Sequence, residues 1–264
     1  MHAFKYQKPA SVAEAASAMS GADEATLLAG GQSLIAAMKL RLSAPGQLVD
    51  LGGIRELAYI RVERSAVTIG AMTRHADVAR SKEILGRIPA LAGLAGGIGD
   101  RMVRNMGTLG GSLAHNDPVA DYPAAVLGLG AVVSTNRRDI AADDFFKGMF
   151  ETALQKGEII VSVTFPVPKR AAYIKHPNPA SRYAIVGVFA AETASGIRVA
   201  VTGAASAVFR VAAMETALGA KWSPEAISGI SIPAAGLNSD MHASAEYRAH
   251  LVTVMARRAI AAAK

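Results

Sequence analysis

Apolar and polar positions in this chain keep two rhythms, one near 3.6 residues and one near 2, broken by glycine and proline. Ser11 is placed to cap a helix through Val12, Ala15, Ala16 and Met19 that stops at Gly21. After a short polar turn, residues 25–29 read as a buried strand, and residues 34–40 as a helix halted by Ala44-Pro45-Gly46. Residues 48–51 form a short strand before Gly52-Gly53, so a small α/β unit is predicted with its loop amides turned outward.

A second segment opens near Ile54. Residues 59–62 and 66–70 pair as a hairpin about Arg64-Ser65, and Thr73 is expected to cap the following helix. Pro89 opens a helix with Leu91, Leu94, Ala95 and Ile98 on one face, yet it carries Gly93, Gly96, Gly97 and Gly99. Glycine costs about 1 kcal/mol relative to alanine inside a helix, so close approach of a backbone or a ligand is expected there. Pro123 stands near the first turn of another helix. Strands at 131–134 and 158–166 are separated by a helix at Phe145-Phe146. Pro166, Pro168, Pro177 and Pro179 mark a boundary, followed by strands at 183–190 and 197–202 and helices from Arg210, Ser223-Pro224 and Ser244. Three segments result: 1–53, 54–168 and 169–264.

Composition narrows the class. With 264 residues, 51% of them hydrophobic, the chain can bury one large core or several smaller ones. It has no cysteine, which excludes disulfides, Cys-ligated zinc and an iron–sulfur cluster held by this chain alone. The net charge is +7, but basic residues stand singly or in pairs such as Arg137-Arg138, Lys169-Arg170 and Arg257-Arg258. Without a basic stripe interleaved with aromatics, nucleic acid is not the expected partner. Residues 1–6 lack the apolar core of a secretory signal, and no run reaches the roughly 18 apolar residues of a membrane span. A cytoplasmic, unprocessed protein without membrane spans is expected.

The candidate chemistry sits in two glycine-rich segments, Leu27-Leu28-Ala29-Gly30-Gly31-Gln32-Ser33-Leu34 and Thr108-Leu109-Gly110-Gly111-Ser112-Leu113-Ala114-His115. Each places Gly-Gly before small or polar residues, as a backbone must when consecutive N–H groups approach an anion. Alone, Gly30-Gly31 reads as a turn. Two such segments point to loops converging on one elongated phosphate-bearing ligand, a dinucleotide being the natural candidate. The Rossmann fingerprint is absent: Gly97-Ile98-Gly99 has Met102 where the third glycine belongs. Walker A, kinase, deaminase and HExxH signatures are missing too, and the six histidines show no metal-ligand spacing. Two readings stay open for Asp117 and Asp121, helix cap or ligand contact. The same holds for His115, structural or beside a phosphate, and for Tyr183, core aromatic or ligand neighbour. His75, inside an ordinary helix, receives no role.

Ala29-Gly30-Gly31-Gln32-Ser33-Leu34, Gly70-Ala71-Met72-Thr73, Arg104 through His115, Asp117-Pro118 and His242 through Arg248 together resemble the FAD-binding medium subunit of molybdenum hydroxylases, along the whole chain. The carbon monoxide, xanthine, nicotine and caffeine dehydrogenase types belong to that group. The resemblance implies an α+β fold: an α/β-like, two-part FAD-binding half (1–53 and 54–168) and a C-terminal α+β domain (169–264) with antiparallel strands. It implies FAD, with residues 27–34 and 108–112 around the pyrophosphate and ribityl groups through their N–H groups. Thus Leu27, Leu28, Ala29, Gly30, Gly31, Gln32, Ser33 and Leu34 form one set, and Thr108, Leu109, Gly110, Gly111 and Ser112 the other. His115, Asp117, Asp121 at the ribityl chain, Ile98, Ile160 and Lys175 near the flavin, and Tyr183 beside the isoalloxazine complete it. Gln32 stands where many relatives have histidine, and Leu109 replaces a commoner isoleucine or valine. The implied partners are an iron–sulfur small subunit and a molybdopterin large subunit, in a heterotrimer or a dimer of heterotrimers, with electrons leaving to an external acceptor. A stand-alone FAD-dependent oxidoreductase is the alternative.

Overall fold

The computed structural model describes residues 1–21 and 24–264. The N-terminal unit is a parallel three-stranded sheet in the order Lys5–Gln7, Gln47–Asp50, Ala25–Leu28. Helix Val12–Ser20 starts as expected: the Ser11 hydroxyl accepts from the Glu14 N–H, and the Glu14 carboxylate accepts from the Ala10 N–H at 2.8 Å. It ends at Gly21, and the polar turn that follows includes Ala22 and Asp23, which lie outside the described residues. Ala15 and Met19 bury against Val49, Leu51, Ile54 and Leu57. Strand Ala25–Leu28 departs from expectation, being half-buried at every position. It is an edge strand, so one flank has no neighbouring strand and borders a cleft.

The middle unit is an antiparallel five-stranded sheet ordered Ile60–Val62, Ala66–Gly70, Ile160–Pro166, Val132–Thr135, Asp139–Ala141. The hairpin about Arg64-Ser65 forms as predicted. Thr73 does not cap helix His75–Arg80; its hydroxyl donates to the Tyr59 carbonyl at 3.0 Å, tying the strand end to the hairpin, and Arg74 takes the cap position. Helix Pro89–Gly96 ends before Ile98, and its glycines are not all forced by neighbours. A Cβ on Gly93 would meet nothing within 4 Å, whereas Gly99 sits at φ +48°. The helix expected at Phe145-Phe146 is Ala142–Phe145, and Phe146 already belongs to a small hairpin, Phe146–Gly148 with Glu151–Thr152.

The C-terminal unit is a four-stranded antiparallel sheet, Arg170–Pro177, Ala184–Thr193, Gly196–Thr202, Phe209–Arg210, backed by helices Ala212–Ala220 and Ala245–Ala262. Its first strand falls where the prolines suggested a boundary. As an edge strand it tolerates Pro177 at its end, where a missing N–H costs no ladder bond.

One element joins the middle and C-terminal sheets. Helix Tyr122–Leu129 is buried at all eight positions, as its all-round apolar sequence requires. Gly128 lets it approach closely: a Cβ there would lie 2.9 Å from Phe189 Cδ1 of the C-terminal sheet. Its first turn, opened by Pro123, delivers Asp121 to the junction of the units. Among the described residues no helix is long and apolar enough to cross a membrane.

Candidate FAD-binding site

The first glycine segment leaves strand Ala25–Leu28 and enters helix Leu34–Lys39. Gly31 takes φ +70°, a conformation open to glycine at no steric cost. Gly30 presses on the second segment, since a Cβ there would meet Met106 O at 2.1 Å and Gly107 Cα at 2.7 Å. The N–H groups of Gly30, Gly31, Gln32 and Ser33 donate to no protein acceptor among the described residues, and Ser33 makes no side-chain cap. Four consecutive free donors on a half-buried loop form an anion cradle.

The second segment is built differently. Thr108 caps helix Leu109–His115 by accepting from the Gly111 N–H, while Leu109 N–H donates to Thr73 O at 3.0 Å and Gly110 N–H to Ala71 O at 2.8 Å. Ser112 N–H donates to Thr108 O. These amides are spent on the protein, so this segment presents surface and the Ser112 hydroxyl rather than the N–H row expected of it. Gly110 allows the packing, because a Cβ would lie 2.6 Å from that of Ala71.

Between the segments runs a cleft of about 470 Å³, within the range of small-molecule sites. Residues 27 and 29–34 line it from one side, Thr108 and residues 110–112 from the other. Ile98, His115, Asp117, Asp121, Ile160 and Tyr183 border it as well. Three expected residues do not. Leu28 lines a groove behind the loop, Leu109 is fully buried in the middle core, and Lys175 stands beside the cleft, bonded to Asp121.

Asp121 is buried and makes no helix-cap bond. Its carboxylate accepts from the Tyr173 hydroxyl and pairs with the Lys175 ammonium at 3.0 Å. Burial pushes the Asp121 carboxyl up from its ordinary range, opposed by Lys175 and Tyr173. Lys175 also donates to Gly97 O at 2.9 Å and Arg182 O at 3.0 Å. Arg104 holds Ile98 O and Gly99 O, and Arg182 reaches Gly99 O, so three cations pin residues 97–99 at the cleft edge. Asp117 instead turns its own loop, accepting from the Val119 N–H at 3.0 Å.

Tyr183 precedes strand Ala184–Thr193 and is 46% exposed, so it is no core aromatic. The turn that carries it is closed by Asn178, whose N–H donates to Tyr183 O and whose side chain accepts from the Ala180 and Ser181 N–H groups. His115 is exposed and lies against Phe150 with ring centroids 5.0 Å apart.

Sequence reasoning passed over His75. It begins helix His75–Arg80, is 5% exposed, lines the cleft and packs on Gly107, where a Cβ would meet its Nε2 at 2.5 Å. Burial, aided by Arg104, lowers its pKa to about 4, keeping the ring neutral. Its Nδ1 has no hydrogen-bond partner among the described residues. Glu158, which the sequence places only in a strand, also lines the cleft. Its carboxyl is held down to about 2, chiefly by Arg138 with bonds from Gln155 N–H and Thr135. An acid opening an otherwise apolar strand was the available signal.

A row of unpaired amides, a glycine-dependent loop crossing, apolar walls and a half-covered edge strand fit a dinucleotide such as FAD. Comparison with known proteins agrees. Residues 2–168 match the family model described as the FAD binding domain in molybdopterin dehydrogenase, and residues 171–263 match the CO dehydrogenase flavoprotein C-terminal domain. The chain is 35% identical to the nicotine 6-hydroxylase medium subunit of Paenarthrobacter nicotinovorans, covering 98% of this chain and 96% of that one. It is 36% identical to the carbon monoxide dehydrogenase medium chain of Hydrogenophaga pseudoflava, with the same coverage. Its fold superposes on reconstituted CO dehydrogenase from Oligotropha carboxidovorans with a TM-score of 0.91 at 32% identity, over 98% of this chain and 97% of that one. The chain therefore belongs to the FAD-binding medium subunits of molybdenum hydroxylases, an FAD-containing oxidoreductase subunit of α+β fold.

Proposed function

We propose that this chain holds FAD in the cleft between its glycine segments and passes electrons from an iron–sulfur partner to an external acceptor. The observation that carries this reading is the run of free N–H groups on residues 30–33, facing a helix start whose own amides are already bonded. FAD, when bound, supplies the redox chemistry, and the protein supplies binding, orientation and access.

In this reading residues 30–33 hold the pyrophosphate through their backbone, with Thr108, Gly110, Gly111 and Ser112 as the opposing wall. Asp121, held by Lys175 and Tyr173, offers a fixed acceptor to a ribityl hydroxyl, and Ile98, Ile160 and Tyr183 provide apolar and aromatic surface for the flavin. His75, kept neutral, adds no charge there. The division 1–53, 54–168 and 169–264 gives two units that grip FAD and a third that brings Lys175 and Tyr183.

The similarity to proteins named medium subunits and medium chains supports an assembly with an iron–sulfur small subunit and a molybdopterin large subunit, in a heterotrimer or its dimer. A cytoplasmic location belongs to this reading, since a cysteine-free chain needs no oxidising compartment.

Two measurements test the proposal. The purified chain should carry flavin absorbance or gain it on adding FAD. Within the complete complex that flavin should be reduced by substrate, and not when the iron–sulfur subunit is left out. A chain that never takes up FAD, or flavin reduced by substrate without any partner, overturns it.

A further inference from the structure

Behind the first glycine loop lies a second groove, about 660 Å³ in volume. It is separated from the FAD cleft by a shared wall: Ala29, Gly30, Gly31, Leu51, Met72 and Thr108 border both. Its floor is apolar, with Leu28, Ile35, Ile54 and Met106. Its rim carries Lys8, Arg55 and Arg74, all exposed and none lining the cleft in front.

None of these cations has an ion pair or hydrogen bond from its side chain among the described residues. The acid that borders the groove is already engaged, because Asp50 accepts from the Tyr6 hydroxyl at 2.5 Å and the Gly52 N–H at 2.8 Å. The Lys8 stem rests on Gly53, where a Cβ would lie 3.1 Å from Lys8 Cγ. With three cations around one carboxylate, the groove has an excess of positive charge above an apolar floor.

We propose that this groove docks an acidic segment with apolar side chains, contributed by a partner subunit, and that docking and FAD retention reinforce each other. The three cations come from separate elements: the stretch after strand Lys5–Gln7, the turn Arg55–Leu57 and the start of helix His75–Arg80. Spread along an apolar floor, they suit an extended chain whose acidic side chains reach the rim while apolar ones enter the groove. A compact phosphate would need donors converging on one point, and the free amides of the shared wall are the ones assigned to the front cleft.

The coupling follows from the wall. Gly31 is in the left-handed region and Gly30 touches the backbone of Met106 and Gly107, so the loop has little room to move independently of either neighbour. An occupant that holds the loop from behind preserves the amide row in front. By linkage, FAD must favour docking by the same factor. This inference rests on the placement of FAD in the front cleft.

The test uses the complete complex, made with unaltered chain and with Lys8→Glu/Arg55→Glu, and a separate Arg55→Lys control. Subunit stoichiometry is read by native mass spectrometry, backbone protection by hydrogen exchange, and FAD release by fluorescence. We expect the double variant to keep FAD as an isolated chain within twofold, yet to assemble at least tenfold more weakly, with Arg55→Lys retaining assembly. Residues 50–58 should be protected in the complex. FAD should leave the isolated unaltered chain several-fold faster than the complex. Unaltered assembly of the double variant, absence of protection over 50–58, or equal FAD release overturns the proposal. So does protection by inorganic pyrophosphate or ATP alone with none from the partner, which would assign the groove to a small polyanion. Failure of the FAD placement itself would appear separately, as an isolated chain whose FAD uptake is unchanged by Gly31→Val.

Discussion

The Lys175 ammonium lies 3.0 Å from the Asp121 carboxylate, and their side chains keep only 10% and 3% of their exposure. They come from different units, Lys175 from strand Arg170–Pro177 and Asp121 from the start of helix Tyr122–Leu129. Tyr173, two residues before Lys175 and so on the same face of the strand, binds the same carboxylate. Lys175 also holds Gly97 O and Arg182 O, so one cation links the loop at residues 97–99, the Tyr183 turn and the buried helix.

Removing that cation leaves a buried carboxylate without its counter-charge. Lys175→Met should destabilise the chain by about 3–5 kcal/mol, the usual cost of breaking a buried pair from one side. Adding Asp121→Asn should recover part of the loss. Denaturant titration of both single variants and the double reads the coupling directly.

At the glycine crossing, side-chain bulk should act on the cofactor before it acts on the fold. Gly31→Val forces φ +70° on a β-branched residue and lies 2.9 Å from Ile35 Cγ1, and Gly111→Val brings its Cβ to 2.9 Å from Thr108 Oγ1. Each should weaken FAD binding at least about tenfold, or about 1.4 kcal/mol, with the far-ultraviolet dichroism unchanged. Gly30→Val is harsher, since its Cβ meets backbone at Met106, and should also lower the melting temperature.

The neutral, buried His75 predicts a pH dependence. Its folded pKa, near 4, lies below the ordinary 6.5, so the unfolded chain binds the proton first as pH falls. Its contribution is present above pH 6.5 and is lost on acidification toward pH 4, amounting to about 3 kcal/mol at full extent. Stability of His75→Phe should fall less over that interval. An identical slope in both proteins would contradict it.

A second, more acidic window belongs to Glu158. Its folded pKa, near 2, lies below the ordinary 4.5, so its contribution holds above pH 4.5 and is lost as pH drops toward 2. Because Arg138 is 44% exposed, screening reduces the gain to about 2 kcal/mol. Glu158→Gln should lose that amount at pH 7 and little at pH 2.5, measured by urea unfolding.

Much of the local structure was legible in the order of residues. Ser11 and Gly21 bound their helix, Arg64-Ser65 turns its hairpin and Pro123 opens its helix, because caps, turns and proline rings act within a few residues. Gly30-Gly31 marked the loop of free amides for the same reason. Motif likeness also picked out most of the residues that line one cleft. Other features were not local. Pro177 suggested a boundary where an edge strand runs, and Thr73 looked like a cap although Tyr59 O takes its hydroxyl.

The sequence by itself determined several element starts where a cap, turn or proline acts locally, the glycine loop, the absence of thiols and the family. Only the tertiary structure decided that the amides of the second glycine segment are spent, that His75 borders the cleft and that Lys175 pairs with Asp121. Each of these depends on which groups meet from positions far apart in the chain. Burial and hydrogen-bond supply are settled where sheets and helices pack, beyond the reach of any spacing rule.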